Sequence, residues 1–147
     1  MKSVYLETNI VYGFFKEIAK SFKKKRKFMI PRIIKRFKNP AYKNKIYSSV
    51  LTKCEVARRL RTDFDHITPS DIDRMWQYLE KYLGMKTIKE INIDEDTYNM
   101  IKKNRFRFKV NNVIHLDICK KLGLILITKD KKLLHDGVKE HKHISKP

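Results

Sequence analysis

The sequence predicts a three-layer α/β/α domain built on a short parallel sheet. Three observations point there. Short apolar runs at residues 4–6 and 124–127 alternate with longer segments whose apolar residues recur at helical spacing. The second run, Leu124-Ile125-Leu126-Ile127, is apolar without a break, the mark of a strand covered on both faces. The chain has 147 residues, 41% of them hydrophobic, which suits one domain with a real core and no internal boundary.

Taken in order, Val4-Tyr5-Leu6 reads as a buried strand. A helix follows from Ile10 to about Lys25, with Val11, Phe14, Phe15, Ile18 and Phe22 on its apolar face. Ile30, Ile33, Ile34 and Phe37 give a second helix, with Pro31 in its first turn and Asn39-Pro40 at its end. Ser48 or Ser49 can cap a third, reaching about Arg61. Thr68-Pro69-Ser70-Asp71 opens a fourth, which Gly84 stops. Residues 87–93 read as a strand of imperfect alternation. Asp94, Glu95 and Asp96 complement the dipole of a fifth helix, to about Lys103. Asn111 or Asn112 opens a sixth, which Gly123 ends. Residues 130–134 suggest a short helix, and His141 to Ile144 an edge strand.

The formal net charge is +19, and it is unevenly spread: +12 over residues 1–50, −2 over 51–100 and +9 over 101–147. Between Glu17 and Glu55 there is no acid, while aromatic residues stand among the bases of that stretch. Such a field attracts polyanions, and nucleic acid is the expected one. The contact residues would be Lys23, Lys24, Lys25, Arg26, Lys27, Arg32, Lys35 and Arg36, with Arg105 and Arg107 in the alternating run Arg105-Phe106-Arg107-Phe108-Lys109. That run suits bases stacked on the Phe rings, and equally two Phe anchoring a loop. The other reading of the whole charge excess is a solvated surface. No apolar run approaches a membrane span, Met1 leads directly into a strand-like run, and the two cysteines form no metal or disulfide pattern. A cytoplasmic protein is expected.

Acids are few enough that their placement is informative. In open parallel sheets, ligands bind beyond the carboxyl ends of the strands. Leu6 is followed there by Glu7-Thr8-Asn9, and Ile127 by Thr128-Lys129-Asp130. On the third helix Glu55 falls just past the edge of the apolar arc, where it can face a cleft. Converging carboxylates call for a hard dication such as Mg²⁺ or Mn²⁺, and phosphodiester hydrolysis is the matching reaction class. Taken singly, each acid reads more simply as a surface carboxylate or a cap.

These segments resemble the motifs of PIN-domain nucleases. Tyr5-Leu6-Glu7-Thr8-Asn9 resembles the opening motif, Ser49 to Glu55 the second, Asn112-Val113-Ile114-His115-Leu116 with Gly123 the third, and Thr128-Lys129-Asp130-Lys131-Lys132-Leu133 the fourth. They stand in family order over about residues 3–134. The resemblance implies a PIN fold and a ribonuclease. Glu7, Glu55 and Asp130 would ligate Mg²⁺ or Mn²⁺, Asn112 would complete the catalytic set, and Asn9 and Thr128 would orient the carboxylates. Many small members are VapC-type toxins, so an antitoxin is an implied partner. Glu7 and Asn112 stand where the family usually has Asp, and Asn112 removes one negative charge. The alternative is therefore a catalytically weak or inactive PIN-fold RNA-binding protein attached to a ribonucleoprotein.

Asp117, on a helix apolar almost all round, reads as structural and paired with a Lys or Arg, with a displaced metal ligand as the alternative. His115 reads as packed in the core; His135, His141 and His143 read as an exposed tail. The basic helix at 31–38 either offers its charges to RNA or docks an antitoxin or a second subunit as a homodimer; both come before binding an anionic membrane.

Overall fold

A computed structural model describes residues 2–103, 108–137 and 144–147. Its strands are β1 (Val4–Leu6), β2 (Ile46–Ser49), β3 (Lys86–Ile88), β4 (Ile125–Ile127) and β5 (Ile144–Ser145). All pair in parallel, in the order β3-β2-β1-β4-β5. The helices are α1 (Thr8–Lys24), α2 (Arg32–Arg36), α3 (Val50–Asp63), α4 (Pro69–Leu83), α5 (Glu95–Lys103) and α6 (Val110–Leu122).

Strand alternation builds the layers. Val4, Leu6, Ile46 and Ile127 point to one face and pack on α1, α3 and α4, where Phe14, Phe15, Leu60, Trp76 and Leu79 are buried. Tyr5 and Leu126 point to the other face and pack on α5 and α6, with Met100, Val113, Leu116 and Cys119. Both faces are covered, so the expected three-layer α/β/α arrangement is present. Register places Val4 opposite Ile46 on one side and Ile125 on the other. β1 is central: the chain moves outward through β2 and β3, then returns to β4 on its opposite side. The crevice beyond the carboxyl ends of β1 and β4 is therefore the switch point of the sheet, where α/β sheets of this kind bind ligands.

Local chemistry sets the boundaries. Thr68 and Asp71 form a reciprocal capping box at α4, and Gly84 and Gly123 end α4 and α6 at φ +63° and +66°. Ser49 accepts a hydrogen bond from the Thr52 N–H at 3.4 Å and so caps α3 as expected. β2 itself has no counterpart in the sequence reading, because half of it is serine. Ser48 fits there by donating to the Leu6 carbonyl at 2.8 Å. β3 is shorter than residues 87–93, and Ile93 is 65% exposed. α6 starts at Val110 with Lys109 at its N-cap, so neither Asn111 nor Asn112 caps it. The short helix after Asp130 closes in a π-type turn at Leu133–Gly137.

The basic segment splits into two parts. Ile34 and Phe37 are buried, with Ile30 and Ile33 packed against the core, while Arg32, Lys35, Arg36 and Lys38 are exposed. Lys23 to Lys27 are all exposed at the end of α1. Of the aromatic residues in this stretch only Phe22 is largely exposed, at 55%; Phe28 and Tyr42 pack against the core. Among the described residues no helix is long and apolar enough to cross a membrane.

Candidate functional site at the carboxyl edge of the sheet

Glu7 leaves β1 as the residue before α1, and its side chain is buried, at 3% exposed. Its Oε1 accepts a hydrogen bond from the Thr128 hydroxyl at 2.5 Å. That same hydroxyl oxygen accepts the Asp130 N–H at 2.9 Å and the Asn9 amide at 3.4 Å. The Asn9 carbonyl oxygen in turn accepts the Lys129 N–H at 3.0 Å. The turns after β1 and β4 are thus tied together at the switch point. Burial pushes the Glu7 carboxyl above its usual range; Thr128 and His115 oppose this, and the charges of Asp130 and Glu55 add to it. Three carboxylates therefore act on one another at this edge.

Glu55 is half-buried on α3. Its Oε1 accepts the Thr8 hydroxyl at 2.8 Å and lies 2.5 Å from His115 Nε2. Its Oε2 accepts the Asn111 amide at 3.4 Å. Burial raises the Glu55 carboxyl, but the hydrogen bond and charge of His115, with Thr8 and Asn111, outweigh it and hold the group below its usual range. Asp130 is half-buried, and its Oδ1 accepts the Leu133 N–H at 3.0 Å.

His115 is 1% exposed, as a core residue should be, yet it is also a polar connector. Its Nδ1 lies 2.6 Å from the Tyr5 hydroxyl, which is 2.6 Å from the Ser49 hydroxyl and 3.3 Å from that of Thr52. Burial raises the Tyr5 phenol well above its ordinary value, so it stays protonated and can donate. The signal for this chain of bonds was a tyrosine in the middle of a buried strand: its hydroxyl needs a partner.

Asn112 is half-buried, and among the described residues its side-chain amide makes no hydrogen bond. Its neighbour Asn111 makes the contact to Glu55, because α6 begins one turn position earlier than expected. Asp117 has the structural role: it pairs with Lys121 at 2.8 Å and accepts the Thr97 hydroxyl at 2.7 Å, joining α6 to α5. Phe108 is 5% exposed within the second core layer, so it is an anchor and not a stacking platform. Arg105 and Arg107, with His141 and His143, lie outside the described residues.

Beside Glu55 opens a cleft of about 510 Å³, lined by Thr8, Leu51, Glu55, Arg58, Arg59 and Asn111 among others. The sequence reading did not single out Arg58 or Arg59. They follow Glu55 by three and four residues, which puts them on its side of α3.

A divalent cation of the hard class needs oxygen donors around one point. Among the described residues, no three His, Cys, Asp or Glu side chains gather closely enough to hold one ion directly. Glu7 nevertheless presents a buried carboxyl with no Lys or Arg ion pair among the described residues, under repulsion from two other acids. Mg²⁺ keeps several waters and binds through one or two carboxylates, so these residues fit a water-rich site and not an all-protein cage.

No family model matches the sequence, and no curated protein matches it. Solved structures do. PAE2754 from Pyrobaculum aerophilum has a TM-score of 0.58 at 16% identity, covering 99% of this chain and 89% of its own. A toxin–antitoxin complex from Klebsiella pneumoniae has a TM-score of 0.60 at 17% identity, covering 99% and 98%. At these identities the likeness is one of fold.

Proposed function

We propose that this chain is a PIN-type ribonuclease dependent on Mg²⁺ or Mn²⁺, acting as a VapC-like toxin that an antitoxin restrains. The observation that carries this reading is the placement of Glu7, Glu55 and Asp130 at the switch point of the sheet, where Glu7 is raised by burial and by the other two acids. Glu7 and Asp130 would hold the cation, and Glu55 would hold its water. The cation would supply Lewis acidity to the phosphoryl group and to an attacking water. Thr128 fixes Glu7, and Asn9 fixes the turn that carries Asp130. His115, oriented by Tyr5, keeps Glu55 ionised and aimed. The exposed bases at 23–27 and on α2 would attract the RNA backbone. The toxin–antitoxin complex of like fold supports an antitoxin partner.

A second reading, an RNA-binding protein that does not cut, is favoured by two observations. Asn112 lacks the carboxylate of the resembled motif, and both oxygens of Glu55 already accept hydrogen bonds. Incubating a mixed RNA pool with Mn²⁺ or Mg²⁺ separates the two. Metal-dependent cleavage that Glu55→Gln abolishes supports the ribonuclease. Binding without cleavage by the wild type rejects it.

A further inference from the structure

We propose that the cleft beside Glu55 is a phosphodiester subsite, in which Arg58 and Arg59 hold the RNA phosphate next to the one that reaches the three carboxylates. The inference rests on the ribonuclease reading and deepens it, because it moves the decisive backbone contact away from the basic segment at 20–45.

The cleft joins the start of α1, one face of α3 and the start of α6, and it opens directly onto Glu55. Two arginines against one carboxylate leave it positive, and both oxygens of that carboxylate are occupied by Thr8, His115 and Asn111. Among the described residues neither Arg58 nor Arg59 forms an ion pair with an acid, although other surface cations here do. Their charge is therefore available to a ligand.

Arg59 is also held in place. Its guanidinium carbon lies 3.9 Å from the centroid of the Tyr12 ring. Tyr12 is 4% exposed and donates to Asp63 Oδ2 at 2.5 Å, so the ring is fixed at both ends. A stacked guanidinium keeps its N–H edge free and loses little freedom when it binds, and its planar fork matches two phosphate oxygens. Arg58 is exposed one residue earlier and supplies a second, more adaptable cation. A chain of phosphates fits this cleft better than a lone anion, because the carboxylate edge lies beyond Glu55 and needs its own phosphate.

The test is titration of a labelled short single-stranded RNA by fluorescence anisotropy. It is run in EDTA so that nothing is cut, across a salt series, with Mn²⁺-dependent cleavage measured in parallel. Arg58→Gln/Arg59→Gln should lower affinity about tenfold and flatten the salt slope by about 0.7, the contribution of the one single-strand phosphate they neutralise. In cleavage, KM should rise while kcat is largely kept. Lys81→Gln/Lys89→Gln removes two exposed charges elsewhere and should change little. Arg58→Gln alone disturbs no packing; it should give about half the slope change, so a folding defect at Arg59 cannot hide the result. A slope unchanged in the Arg58/Arg59 variant, while wild type still cleaves, overturns the subsite and leaves the ribonuclease standing. A slope flattened equally in the Lys81/Lys89 control also overturns it. Loss of poly-glutamate binding with RNA binding intact would make the cleft a protein-docking surface and overturn the proposal. A wild type that neither binds nor cuts RNA rejects the ribonuclease reading itself.

Discussion

His115 bridges Tyr5 and Glu55: its Nδ1 lies 2.6 Å from the Tyr5 hydroxyl and its Nε2 2.5 Å from Glu55 Oε1. A residue on the central strand is thereby connected, through a buried ring, to a carboxylate at the edge of the site. Tyr5→Phe removes one hydroxyl, strands His115 Nδ1 in the core and leaves the Ser49 hydroxyl only its bond from the Thr52 N–H. Leaving buried polar groups unpaired costs about 1–3 kcal/mol. Urea unfolding should show that destabilisation with an unchanged m-value. Under the ribonuclease reading kcat should fall more than KM rises, because Glu55 loses its aim. A stability change within about 0.5 kcal/mol, the range of ordinary surface substitutions, would show that the bridge carries no weight.

Glu7 gives a pH-dependent prediction. Burial raises its carboxyl in the folded state, so the folded protein binds that proton more tightly than the unfolded chain. The stability belonging to the neutral form is fully present below the unfolded carboxylate value, about 4.3, and is lost as pH rises through the folded value. Glu7→Gln is neutral throughout and still accepts the Thr128 hydroxyl. Without metal it should melt higher than wild type at pH 7, and the advantage should vanish toward pH 4. Adding Mn²⁺ should stabilise wild type more than the variant. A Glu7→Gln protein that melts lower at pH 7 would mean that the site already neutralises this charge.

The layers, the helix caps and the three acids were legible because each has a local cause: a 3.6-residue period, a capping side chain, or a strand end. Ser49, Gly84 and Gly123 act where the sequence puts them. β2 was not legible, because Ser48 and Ser49 fit a buried strand only through distant partners, the Leu6 carbonyl and the Tyr5 hydroxyl. The same holds for the site. Asp117 could be expected to find a cation, and it finds Lys121 on its own helix. That Asn111 and not Asn112 touches Glu55 depends on where α6 begins, and Lys109 at the N-cap leaves no capping signal to read. Arg59 gains its role from Tyr12, 47 positions away along the chain, through a ring stacking that only the packing of α1 on α3 creates.

The five cations at residues 23–27 are all exposed, and under the ribonuclease reading they would supply long-range attraction for RNA. Arg26 already pairs with Glu17 at 3.2 Å. Neutralising Lys23, Lys24, Lys25 and Lys27 should slow RNA association at low salt and flatten the salt slope by about 0.7 for each phosphate that is no longer neutralised. KM and kcat at physiological salt should move less than in the Arg58/Arg59 variant. An unchanged association rate in stopped-flow measurements would identify the run as solvated surface.

Asn112 divides the enzyme from the binding protein. It is the third residue of α6, in a first turn that contains no acid, so a carboxylate there gains from the helix dipole. It also adds negative charge to an edge where Glu7 already feels Asp130 and Glu55. Asn112→Asp should therefore cost stability in EDTA and regain more than wild type on addition of Mn²⁺. Mn²⁺ affinity by isothermal titration should rise about tenfold, within the range carried by a single group around a metal site. RNA cleavage should increase with it, because a carboxylate is a better hard ligand and a better holder of metal-bound water than an amide. If the variant gains neither metal affinity nor cleavage, and wild type binds RNA without cutting it, the carboxylate edge is a remnant within an RNA-binding fold.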